Sequence, residues 1–267
     1  MTVAARARAA LHDRFVSLFP IPLNRQGYAS CPQDNLLPGI SLADVESDLC
    51  RGDGHELDGK FCAAHSSAAL AVNCFGPFKT RPDDLLLCGQ QGAQSVEFEK
   101  QLPTSLRGTP PNMDVWIERG GEVVAVESKL LEYLTPKPAS FAEAYARLAE
   151  KAEPCWRAVY EQAREGAAQY LDRAQLIKHY FGLRAYRECH PDQRLSLLYL
   201  FWEPLNWVEV AECKGHREEL GSFAQSVSAS CSSFRWTTYS QLWEEWSTSP
   251  ALAHHARRLK ARYEVRI

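Results

Sequence analysis

The chain has 267 residues, of which 45% are hydrophobic and 24% charged, and 30 Lys and Arg against 33 Asp and Glu give a formal net charge of −3. That is the size and make-up of one large or two small globular domains, and the charge excludes a uniformly basic, histone-like nucleic-acid coat while permitting a local basic cleft. No apolar run approaches the ~20 residues of a membrane span, and the early arginines lack the apolar stretch of a secretory signal, so a cytoplasmic protein without membrane partners is expected.

The N-terminal "MTVAARARAALHDRF" has the period of a short amphipathic helix, with Leu11, Phe15 and Leu18 on one face and Arg8 on another. Residues 20–57 are rich in Pro, Gly, Asn and Asp and predict an irregular segment with one short helix over 42–49. "GKFCAAHSSAALAVNCFGPF" is nearly uncharged and Ala-rich, which predicts a buried helix of about four turns ended by Gly76-Pro77. "QSVEFEKQL" alternates as a half-buried strand does, placing Val96 and Phe98 on one face and Glu97 and Glu99 on the other. Two β-rich runs follow, 113–118 and 123–128, and Gly120-Gly121 between them predicts a hairpin. Helical patterns cover 140–150, 155–165 and 167–181, the last ending at Gly182. "RLSLLYLFWEP" reads as a strand covered on both faces and stopped by Pro204. A helix over 216–228, a strand "FRWTTY" and two C-terminal helices complete an α/β layer with one mixed sheet.

Within this order, "NMDVWIERGGEVVAVESK" concentrates chemistry. Residues two apart on a strand share a face, so Glu127 and Lys129 project together and Ser128 points oppositely with its carbonyl available. Asp114 enters the partner strand where Glu127 leaves its own, and a tight hairpin sets those ends side by side. Two close carboxylates repel unless a cation lies between them, and hard oxygen donors suit Mg²⁺ or Mn²⁺. A metal there polarises a phosphoryl oxygen and acidifies bound water, with Lys129 placed to orient that water or to stabilise charge on the phosphate.

"PPNMDVWI", the Gly-Gly turn and "VVAVESK" resemble the PD-(D/E)xK nuclease superfamily, the restriction-endonuclease-like fold. "HSSAALAVNCFGPF" and "ESKLLEYL" resemble a prokaryotic branch of it. The resemblance spans roughly half to two-thirds of the chain. It implies a restriction-endonuclease-like core of αβββαβ order, with an N-terminal extension and added C-terminal helices. The whole is then a single nuclease-like domain: extension 1–57, core 58–204 and additions 205–267. By position, Asp114 and Glu127 would ligate Mg²⁺ (or Mn²⁺), the Ser128 carbonyl would assist, and Lys129 would act on the water. Asn112-Met113 stand where the motif's proline would be, with Pro111 displaced upstream. An additional upstream acid would be Glu97 or Glu99, with Glu99 favoured. On the following helix, "QLIKHY" offers Gln175 and Lys178 for the scissile phosphate or a metal-bound water, although Tyr180 is one residue too far for Q-x-x-x-Y. The implied activity is hydrolysis of DNA phosphodiester bonds, in restriction, phage defence or repair. RNA is left open as a partner, and a homodimer is compatible with the reading.

Several features compete with this assignment. "ExK" recurs as Glu212-Cys213-Lys214 downstream of Pro191-Asp192, but Pro204 interrupts the route between those acids and no tight hairpin joins them. Arg257, Arg258 and Lys260 form a basic C-terminal helix face, read either as a grip on backbone phosphates or as a solvated surface. Glu132 could support Lys129 if a helical turn begins there, but reads more readily as a solvated surface charge. His65, Ser66 and Ser67 read as helix packing rather than catalysis, since no Ser-His-acid order accompanies them. The nine cysteines are odd in number and lack CxxC pairs, so Cys62-x-x-His65 and Cys189-His190 read as reduced, buried cysteine more readily than as zinc sites. The rival functions are a non-catalytic nucleic-acid-binding or assembly module of the same fold, and a zinc-stabilised interaction protein.

Overall fold

The alternating and apolar runs around Gly120-Gly121 form an antiparallel meander of β1 (Ala93–Gln101), β2 (Asn112–Arg119) and β3 (Glu122–Lys129) in the computed structural model, which describes residues 1–51, 57 and 59–267. Gly121 takes a φ of +79°, a conformation that glycine supplies without steric cost. β4 (Arg194–Phe201) and β5 (Ser233–Thr238) extend the sheet in parallel on the far side of β3, giving one mixed sheet ordered β1-β2-β3-β4-β5. β3 and β4 lie inside it, which explains their near-continuous burial and their Val- and Leu-rich sequences.

Helices flank both faces. Pairing of Trp116 with Ala125 and of Val115 with Val126 puts even residues of β2 and odd residues of β3 on one face. α6 (Arg173–Cys189) and α7 (Ala211–Ser226) cover that face, Tyr186 packing edge-on against Trp116 and His216 accepting or donating a 3.0 Å hydrogen bond with Tyr199. α3 (Ser67–Phe75) and α8 (Tyr239–Ser247) cover the other, where the Ser128 hydroxyl meets Tyr239 Oη at 2.6 Å. α2 (Glu46–Arg51) packs against β1, where Asp48 accepts from the Phe98 N–H, and α1 (Val3–Leu18) packs on α9 (Ala253–Tyr263), which packs on α8, while α4 (Tyr145–Glu150) and α5 (Pro154–Glu165) lead into α6. Arg14 donates to the Ala261 carbonyl, tying the first and last helices together, and Arg262 donates to Asn35 Oδ1 in the segment that follows α1. Among the described residues no helix is long and apolar enough to cross a membrane.

Several predicted boundaries moved for identifiable reasons. In α1, Leu11 and Phe15 are buried but Leu18 is 41% exposed, because the helix ends at that residue. The four-turn buried helix is only Ser67–Phe75: Ser66 caps it by accepting from the Ala69 N–H, and a short 3-10 turn stands before it. Asp172 caps α6 in the same way, which delays its start from 167 to Arg173. The first of the three predicted helices, 140–150, likewise forms only from Tyr145. The end of the N-terminal extension (52–56) and residue 58, where the predicted core begins, lie outside the described residues.

α6 also runs through Gly182, its predicted stop, to Cys189. Gly182 serves close approach instead: a Cβ there would stand 2.7 Å from Leu102 Cβ. Such overpacking typically costs about 1–3 kcal/mol, against ~1 kcal/mol gained from alanine's helix propensity. Gly182→Ala is therefore expected to lower the denaturant midpoint, corresponding to a net loss of about 1 kcal/mol. An unchanged or raised midpoint would show that Leu102 yields freely.

Candidate active site

The hairpin determines how Asp114, Glu127 and Lys129 meet. The β2–β3 ladder runs from Arg119–Glu122 to Val115–Val126 and stops there. The next facing residues are Asp114 and Glu127, and the Ser128 N–H donates to Asp114 Oδ2 at 2.6 Å instead of to a strand carbonyl. Asp114 thus closes the end of the ladder with its side chain. Glu127, fully buried, ion-pairs through Oε1 with Lys129, its neighbour two residues on. Its Oε2 lies 2.6 Å from His179 Nε2 on α6.

The charges are unevenly compensated. Burial raises the pKa of Asp114 and the negative charges of Glu127 and Glu99 push it further, well above the usual carboxylate range, against the opposing pull of Lys129 and the Ser128 N–H. Burial would also raise that of Glu127, but Lys129 and His179 overcome it and bring the value down to about 2. Desolvation works against the Lys129 ammonium, yet Glu127, Glu132 and Asp114 outweigh it, so Lys129 holds its proton more tightly than an ordinary lysine. Lys129 is consequently a donor and a fixed positive charge here, unsuited to act as a base.

Glu99 reaches this cluster by an irregular route. It stands between the Phe98–Val115 and Lys100–Met113 pairs with a φ of +50°. A non-glycine residue rarely adopts that conformation, which costs of order 1–3 kcal/mol. The alternation that placed Glu97 and Glu99 on one face breaks at this point. Glu99 is buried, accepts from Asn112 Nδ2 and acts electrostatically on Asp114. Glu97 instead pairs with Lys100, which lies over the Trp116 ring.

Of the helix residues predicted from "QLIKHY", Gln175 lines a crevice of about 10 Å³ with Lys129, Glu132, Asp172 and Tyr199. Lys178 does not enter it and lies 5.7 Å from the ring centres of both Phe141 and Tyr145. The residue missed was His179. It sits four positions after Gln175, on the same helix face, so the i,i+4 spacing carried the signal. Glu132, expected as a solvated surface charge, instead accepts from the Leu130 and Leu131 N–H groups at 2.8 and 2.9 Å and contributes to holding the Lys129 charge, because a 3-10 turn begins at that residue.

The basic C-terminal residues stand elsewhere. Arg258 donates to the Pro38 carbonyl, Lys260 pairs with Glu244, and Arg257 is exposed on the same helix. The second "ExK" is split as its sequence context predicts, with Asp192 in the turn before β4 and Glu212 and Lys214 in the first turn of α7 beyond the other end of that strand. Cys62 is buried, but Cys189 is exposed at the end of α6, contrary to its reading as buried cysteine.

Among the described residues no three His, Cys, Asp or Glu side chains form a ready-made metal cage. The donor set at the hairpin is the carboxylate pair. Such a pair suits Mg²⁺, which keeps several waters and needs only one or two protein carboxylates. Each carboxylate oxygen offers about two acceptor sites, so the contacts of Glu127 with Lys129 and His179 leave others unused. The repulsion that raises Asp114 is the charge imbalance that a divalent cation relieves.

The family model described as Restriction Endonuclease associating with ARP matches residues 8–264. No curated protein and no solved structure matches the chain.

Proposed function

From the premise that the chain belongs to the family of restriction endonucleases associating with ARP, we propose that it is a metal-dependent nuclease hydrolysing DNA phosphodiester bonds at Asp114, Glu127 and Lys129. The observation that carries this reading is the convergence of two carboxylates and a firmly protonated lysine at the open end of the β2–β3 ladder. The order helix, antiparallel β1-β2-β3, helix, parallel β4 supports a restriction-endonuclease-like core, and in this reading the N-terminal extension and 205–267 are additions to it within a single domain.

In this reading Asp114 and Glu127 hold Mg²⁺ or Mn²⁺, with Glu99 and the Ser128 carbonyl as further oxygen donors. The ion would supply charge stabilisation at the phosphoryl oxygens and a more acidic water. Lys129 keeps its proton, so it donates hydrogen bonds to a phosphate oxygen or orients the attacking water. Gln175, across the crevice from Lys129, can bind the same water or phosphate. His179 fixes one carboxylate oxygen of Glu127 and acts as a positioning residue. The direct test incubates the full chain with linear, circular and single-stranded DNA and with RNA, in Mg²⁺ or Mn²⁺ and in chelator. Cleavage in metal alone is the expected result.

A second reading draws on the engagement of both Glu127 oxygens by Lys129 and His179. A cluster neutralised from within suits a nucleic-acid-binding or assembly module that does not cleave. That reading predicts salt-sensitive binding indifferent to chelators and no cleavage of any substrate.

The role assigned to His179 has its own readout. Replacing partners that orient metal-binding carboxylates typically costs 10–100-fold. His179→Ala is expected to lower kcat by about 10-fold or more with KM for DNA little changed, and to shift the Mg²⁺ requirement upward. His179→Gln, which retains a side-chain donor, should recover part of the loss. Equal loss in both variants without a change in Mg²⁺ requirement would assign His179 to packing alone.

A further inference from the structure

The proposed reaction leaves one large feature unused. A cavity of about 540 Å³ opens between α1, the turn before α3 and the segment after β3, within the volume range typical of ligand sites. Arg8, Lys60 and Lys137 line it, and none of them has a hydrogen-bonding or ion-pairing side-chain partner among the described residues. Among the described residues the acid in its wall is Glu132, whose Oε2 is taken up by two backbone N–H groups. Tyr28 and His65 supply an aromatic corner, their rings edge to face at 6.4 Å. Glu132 and Lys137 also line the crevice beside Lys129 and Gln175, so the two spaces share a wall.

Three cations without a side-chain partner and one acid, counted among the described residues, make a cavity that attracts anions, and an aromatic corner accepts the face or edge of a planar ring. Both requirements are met by a nucleotide. We propose that this cavity receives an unpaired nucleotide of the strand that passes Lys129, with its phosphate held by Arg8, Lys60 and Lys137 and its base against Tyr28 and His65. This rests on the nuclease reading for the path of the strand. It adds a specific feature: the substrate is gripped in single-stranded form next to the cleaved bond.

The test is binding of a fluorescent single-stranded DNA oligonucleotide to the full chain in chelator, across a range of salt concentrations. Each phosphate contact contributes a slope of about 0.7 to the decline of log affinity with log salt. The triple variant Arg8→Gln, Lys60→Gln, Lys137→Gln releases that one phosphate and should reduce the slope by about 0.7, and Tyr28→Ala should weaken binding about 10-fold at fixed salt. A control triple, Arg107→Gln, Lys151→Gln, Lys214→Gln, removes the same charge from exposed positions outside the cavity. The proposal is overturned if the wild-type chain does not bind, if the cavity triple keeps the wild-type slope, or if the control triple loses as much. Binding with the expected slopes but no cleavage in Mg²⁺ would sustain the cavity and remove the nuclease reading. Cleavage with an unchanged slope would do the reverse.

Discussion

Asp114→Asn is expected to abolish metal-dependent cleavage, by roughly 10³-fold, and at the same time to make the metal-free protein more stable. The two effects share one cause. Asp114 is half-buried among negative charges that raise its pKa, so its ionised form is held at a cost to folding. An asparagine still accepts the Ser128 N–H without that charge, and relieving unfavourable charge commonly stabilises a protein by about 0.5–2 kcal/mol. The sign with pH follows from linkage. A carboxyl whose folded pKa exceeds its unfolded value of 3.8 penalises folding above the folded pKa, and the penalty fades as pH falls towards the unfolded value. The variant's advantage should therefore be larger at pH 7 than at pH 4. Thermal unfolding in chelator at pH 7 and pH 4 measures it, and a lower midpoint at pH 7 would contradict the assignment of repulsion at this residue.

Glu127→Gln should do the opposite to stability. Glu127 is fully buried and neutralises Lys129 on one side while contacting His179 on the other. Removing one partner of a buried ion pair costs about 3–5 kcal/mol, because the remaining charge is left desolvated. Here the folded pKa, about 2, lies below the unfolded 4.5, so the stabilisation is present above pH 4.5 and is lost as pH falls towards 2. Urea denaturation should place the variant well below the wild type at pH 7 and bring the two together near pH 2–3. A gap that does not depend on pH would mean that the carboxylate charge is not what stabilises this site. Asp114 and Glu127 are adjacent carboxylates, yet one opposes folding and the other supports it.

Much of this arrangement was legible in the sequence because it depends on short-range geometry. Strand parity places Glu127 and Lys129 on one face, and the Gly120-Gly121 turn brings Asp114 level with them. The strands that form β4 and β5 followed from an apolar run and a short aromatic segment, while their parallel direction is set by the helices that precede them. What escaped the sequence depends on tertiary contact. Alternation could not register the positive φ that separates Glu99 from Glu97. Gly182 looked like a helix stop because its real constraint, Leu102, lies about eighty residues away in sequence. His179 escaped although its spacing from Gln175 was visible, since only the packing of α6 on the sheet brings it to Glu127. The cationic cavity could not be anticipated from any one segment, because Arg8, Lys60 and Lys137 come from three of them.

The measurement closest to the central claim is cleavage of an end-labelled DNA duplex and its separated strands in Mg²⁺, by the wild type, Asp114→Asn and Lys129→Ala, each first checked for a folded circular-dichroism spectrum. Cleavage by the wild type that chelator stops is expected, together with loss of about 10²–10³-fold in both variants. Cleavage that persists in either folded variant, or that proceeds in chelator, would contradict the claim.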